Sequence, residues 1–298
     1  MFSVRAAYRR LRREARDALE LVLLPGLAAV LPWRCCFWIF KKLARQPWLY
    51  RESSEKALTE ARQRGWVQDS QRWLTERRLT TLVDHADHYL ARTRSNAWLR
   101  RHVDVVGDWG MARQAGVLMT FHWGAGLWSL RHARAAGLRP HMLVAAVEGV
   151  PFAGRAVLHR YIRARMVTVE QAEGNPVIYV PGSMRALLDA LQKHDQVLAV
   201  MDVPSDQVNT TKPVLLLGVP VQMPSVLPRL AVEKKLPVTV FVMGLDLDTG
   251  RRFLRLKPLG VHADADELAA AIFSQLDQIM RERPAAWHLW SESERFFR

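Results

Sequence analysis

Chemistry in this chain can be built outward from His122. It follows the apolar run Val117 to Phe121, which a glycine precedes, and Gly124 and Gly126 separate it from a second apolar stretch reaching about Ala136. The first run reads as a buried parallel strand, and the second as a helix stopped by Gly137. A strand, a glycine turn carrying a histidine and a helix N-terminus outline a reaction centre. The imidazole can take a proton, and N–H groups around Gly124 can face a developing negative charge. A strand-end histidine with no partner is more often an ordinary structural residue.

A general base needs a group that orients it, and two carboxylates are candidates. Three apolar runs end on a polar, titratable residue: Phe121 on His122, Val147 on Glu148 and Met201 on Asp202. Sites in open α/β sheets form outside the carboxyl ends of strands, so the three could share one sheet edge. Arg163 and Arg165, at the end of a helical pattern after Glu148, could hold a phosphate or neutralise an oxyanion. They could equally compensate the helix dipole. Asp84-His-Ala-Asp-His88 sets two histidines one turn apart, yet no cysteine or third ligand accompanies them, and the expectation is no metal.

The elements that must position these groups alternate. Strand-like runs are expected at 142–147, 166–169, 197–201, 214–217, 238–243 and 253–257. Helices are expected at 152–165, 183–193, 225–235 and 265–282, the last two capped by Ser225 and Asp264. Alternation predicts an α/β fold with a mostly parallel sheet flanked by helices. Helical patterns at 52–64 and 68–94 give residues 46–100 as a helical cover on an α/β domain at 46–298. The absence of Gly-x-Gly-x-x-Gly, Gly-Lys-Ser/Thr and Gly-x-Ser-x-Gly patterns leaves nucleotide cofactors and serine hydrolysis unsupported, and no cofactor is expected.

Residues 1–45 have a different character. Val4, Tyr8, Leu11, Ala15, Leu19 and Val22 recur at helical spacing among six arginines, which is the pattern of an interfacial helix on an anionic membrane. Leu21 to Phe40 is apolar but contains Arg34, Pro25 and Pro32, so it predicts a membrane-dipping hairpin or surface helix rather than a clean span. The net charge of +14 demands an anionic partner. Nucleic acid is disfavoured, because the arginines cluster beside the hydrophobic segment and no binding-module motif occurs. Cys35 and Cys36, the only cysteines, imply no disulfide framework and a reducing compartment.

His-x-Gly after a hydrophobic strand, followed by an apolar helix, resembles the first motif of the late lipid A acyltransferases of the lysophospholipid acyltransferase superfamily. Arg163 and Arg165, Asp202, Leu217-Gly218-Val219-Pro220 and a Trp-rich C-terminus follow in the family's order, so the likeness covers roughly residues 100–298. The family motif places an acid five residues after the histidine, where this chain has Leu127. The resemblance implies a glycerolipid acyltransferase-like αβα fold on the cytoplasmic face of a bacterial inner membrane. It implies transfer of a fatty acyl chain from acyl carrier protein to a hydroxyl or amine of a lipid A-like or other lipid acceptor. His122 would be the base, Gly124 would supply oxyanion N–H groups, and Asp202 or else Glu148 would replace the missing acid. The alternative is an inert protein of that fold, binding lipid or carrier protein.

Overall fold

The computed structural model describes residues 4–111, 114–145, 154–180, 182 and 184–297. The strands are β1 (Val103–Val106), β2 (Gly116–Thr120), β3 (Pro140–Ala145), β4 (Ile178–Val180), β5 (Gln196–Val200), β6 (Thr211–Leu216), β7 (Val219–Pro224), β8 (Val238–Leu245) and β9 (Arg252–Gly260). Seven of them form one sheet in the order β1-β9-β8-β2-β5-β3-β4. All its neighbours run parallel except β8 and β9. The expected α/β class with a mostly parallel sheet is therefore what the chain adopts.

The helices are α1 (Val4–Asp17), α2 (Leu24–Val30), α3 (Trp33–Ala44), α4 (Arg51–Gln63), α5 (Ser70–Thr93), α6 (Asn96–Arg101), α7 (Leu127–Ala135), α8 (Ala156–Glu173), α9 (Met184–Gln192), α10 (Val226–Glu233) and α11 (Ala265–Glu282). They cover both faces, because successive side chains of a strand point to opposite sides. Leu118 of β2 packs in the core shared with α3, α5 and α7. Its neighbours Val117 and Met119 pack in the core shared with α10 and α11.

Several expectations need correction. Residues 166–169 are not a strand: they lie inside α8, whose buried Tyr161, Thr168, Val169 and Ala172 recur at helical spacing until Gly174 ends it with φ +84°. Short β-branched runs do not distinguish strand from buried helix. Residues 214–217 leave the main sheet. They belong to the separate β6–β7 hairpin, turned by Leu217 and Gly218, both at positive φ. Asp264 caps α11 through the amides of Asp266 and Glu267, whereas the Ser225 side chain makes no capping bond to α10. The end of the expected 142–147 strand lies outside the described residues.

The N-terminal segment also differs from expectation. Trp33, Cys36, Phe37, Phe40 and Ala44 of α3 are buried against Leu79, Leu82, Val83, Ala86 and Leu90 of α5, so this apolar stretch is core. No helix among the described residues is long and apolar enough to cross a membrane. The fully buried Arg252 guanidinium stacks between Trp33 (4.3 Å) and Trp128 (4.4 Å) and pairs with Asp87. That stack ties α3 to α7. The outer part of α1, by contrast, leaves Tyr8 and Leu11 exposed. Its inner end is anchored where Glu14 accepts the first amides of α8 and Asp17 pairs with Arg155.

Candidate active site

The parallel register of β2 and β5 brings the site together. Thr120 stands opposite Val200, and Met201 N–H donates to Thr120 O at 2.8 Å. Two residues further along each chain come His122 and Asp202. The His122 Nδ1–H donates to Asp202 Oδ1 at 3.1 Å, and the His122 backbone N–H lies 2.8 and 3.0 Å from the two carboxylate oxygens. Asp202 is completely buried, while the His122 side chain keeps 43% of its surface exposed. Because a carboxylate only accepts, Nδ1 carries the proton in the neutral ring, and the lone pair sits on Nε2. That is the tautomer a general base needs.

Burial opposes protonation of His122, but the Asp202 carboxylate outweighs it through charge and hydrogen bonding, and the pKa rises above the ordinary histidine value. The dyad is a base strengthened by its own orienting acid. Leu127, five residues after His122, is buried in the core. Asp202 reaches the ring from the end of the neighbouring strand. Glu148 lies outside the described residues.

Gly124 does not offer its amide to a reacting group. Its N–H donates to Ala286 O at 3.0 Å, and the Ala125 N–H donates to Met243 O at 3.0 Å. The glycine serves geometry: at φ +73°, a Cβ built there would lie 2.2 Å from Met243 O. Its carbonyl accepts the Nε2–H of His288 at 2.6 Å.

The two arginines also differ from their expected role. Arg163 is exposed on α8. Arg165 grips Asp84 of α5 with one amino group, at 2.8 and 2.9 Å from its oxygens, and its other amino group meets Asp84 O and Tyr161 Oη. Burial works against both charges, yet the pair holds Arg165 above and Asp84 below their ordinary pKa values. The Tyr161 hydroxyl in turn meets His85 Nδ1 at 2.7 Å, and burial pushes His85 down to about 3, so this ring is a neutral acceptor. Asp84 to His88 is thus a buried structural network, and no metal-ligating cluster occurs among the described residues.

Sequence reasoning missed the C-terminal partners. Trp287 donates from Nε1 to Asp202 Oδ2 at 2.8 Å, and His288 N–H donates to His122 O at 2.8 Å. Arg77 of α5 holds the carbonyls of Trp287 and His288. The only signal in the sequence was a Trp-rich terminus, which names no partner. No family model matches the chain, and neither does any curated protein.

Proposed function

We propose that this protein is a membrane-associated acyltransferase that moves a fatty acyl chain from an acyl carrier protein thioester to a hydroxyl or amine of a lipid acceptor. The observation that carries this reading is the 3.1 Å contact of His122 Nδ1 with Asp202 Oδ1 beside an exposed ring. His122 Nε2 takes the acceptor proton, and the freed oxygen or nitrogen attacks the thioester carbonyl. The tetrahedral intermediate collapses with cleavage of the carbon–sulfur bond, and the thiolate leaves with the proton held on His122. Donors for the oxyanion would come from the head of α7, because the amides of Gly124 and Ala125 are engaged. The acceptor is a lipid A-like or other lipid, met at the cytoplasmic face of a bacterial inner membrane as the resemblance implies.

The exposed outer half of α1, with Tyr8 and Leu11 among arginines, supports membrane contact. The net charge of +14 favours anionic lipids and an acidic carrier protein. The engaged Gly124 amide favours the inert lipid- or carrier-binding alternative, but an inert relative has no need of a charge-strengthened dyad. Purified protein on vesicles, supplied with acyl carrier protein thioester, should release carrier thiol and form acylated lipid. Turnover should fall steeply with rising salt. Indifference to salt, or a strict preference for coenzyme A thioesters, would remove the carrier protein from the reading.

A further inference from the structure

The chain after α11 returns to the catalytic turn and pairs with it. Trp123 and Trp287 form an antiparallel bridge, flanked by Gly124 N–H to Ala286 O and His288 N–H to His122 O. That pairing brings the Trp287 indole to Asp202, at the carboxylate oxygen that the His122 ring does not use. Trp287 has no exposed surface and packs edge-on against Trp290 and Phe296, with ring centroids at 5.1 and 5.3 Å. An indole has one donor and no acceptor, so its bond to Asp202 Oδ2 at 2.8 Å has only one sense.

The orientation of the carboxylate needs such a bond. Rotation about the terminal torsion of an aspartate is soft and roughly two-fold. The His122 backbone N–H meets both oxygens at nearly equal distance and does not choose between rotations. The indole fixes the torsion from the other oxygen, holding Oδ2 while Oδ1 faces Nδ1.

We propose that Trp287 is the positioning residue of the dyad, its indole N–H fixing the Asp202 carboxylate so that Oδ1 presents to His122. The rate consequence rests on the acyl-transfer reading above; the proton consequence does not. A Trp287→Phe variant keeps an aromatic ring and removes the donor. Its kcat should fall about 10- to 100-fold, the effect of one lost bond to a charged group, with KM unchanged. In proton NMR, the His122 Nδ1–H resonance, assigned by its absence in His122→Gln, should broaden and move upfield. The midpoint of the His122 titration should drop toward the ordinary histidine value, because burial then acts against a less fixed carboxylate.

A merely structural role would reduce the folded fraction and leave both midpoint and resonance of the folded protein in place, and that result would overturn the proposal. If the phenylalanine variant fails to fold, replacing the indole of Trp287 by benzothiophene decides, since it exchanges only N–H for sulfur within the same outline. A wild-type protein that shows these proton shifts against its variant but transfers no acyl group would keep Trp287 as positioning residue and refute the acyltransferase reading alone.

Discussion

Asp202 and His122 are partners twice over, once by strand register and once by hydrogen bond. The Thr120–Val200 pairing carries them to the same level of the sheet edge, and the carboxylate then accepts both the backbone N–H and the ring Nδ1–H of His122. The carboxylate beside His122 is thereby supplied by the neighbouring strand of the sheet. A parallel sheet buried on both faces holds such a pair more rigidly than a loop would.

This relationship fixes a pH dependence. The proposed catalysis needs neutral His122, whose pKa is raised, so activity should rise with pH and reach half-maximum above the ordinary histidine value of 6.5. Stability should run the opposite way: a raised folded-state pKa contributes stability below the unfolded value, which is lost as pH climbs through the folded one. Asp202→Asn removes the charge that lifts the pKa and leaves burial to lower it. Its residual activity should therefore have its acid limb shifted to lower pH, as pH–rate profiles would check.

Gly124→Ala should be severely disruptive despite adding one methyl group. The new Cβ would meet the Met243 carbonyl, and the backbone would have to hold positive φ with a side chain. Such strain costs about 1–3 kcal/mol before any clash is relieved. Thermal melts should show that loss, and acyl transfer should fall further than stability, because the turn carries His122.

Arg252→Ala should test the buried stack between α3 and α7. Burial pushes Asp87 up to about 7, and Arg252 is the main charge that opposes it, with Arg165 a lesser one. Removing one partner of a buried pair costs about 3–5 kcal/mol. The variant should be strongly destabilised in denaturant titrations, and Asp87→Asn alongside it should recover part of the loss.

Membrane contact is best tested on α1 alone, since α3 belongs to the core and deleting residues 1–40 would unfold the domain. Each basic residue near an anionic surface contributes about 1 kcal/mol, so replacing Arg12 and Arg13 by Ala should weaken vesicle binding about 30-fold. Flotation with anionic and neutral vesicles reads this directly. Unchanged binding would place the contact elsewhere.

Much of the frame could be read from the sequence, because β2, β5 and β8 are continuous apolar runs between glycine and charged punctuation. His122 and Asp202 were legible as strand-end groups and as partners, with Glu148 the alternative acid; strand order, absent from a linear pattern, is what puts Asp202 beside the ring. Short elements such as β1 and β4 gave too little periodicity. Val167, Thr168 and Val169 mimicked a strand within α8, where the burial spacing rather than β-branching decides. The engaged Gly124 amide and the Trp287 indole depend on a contact closing across more than 160 residues, for which no local signal exists.

The most direct measurement compares acylated lipids by mass spectrometry in cells expressing the wild-type chain, His122→Ala and Asp202→Asn at equal folded level. The wild type should add an acyl chain to a lipid acceptor, His122→Ala should add none, and Asp202→Asn should be slower by about 10⁴-fold, the effect of losing an orienting acid in a Ser–His–Asp enzyme. Acyl transfer that persists in His122→Ala, or a lipid profile that the wild type leaves unchanged, would contradict a His122–Asp202 acyltransferase.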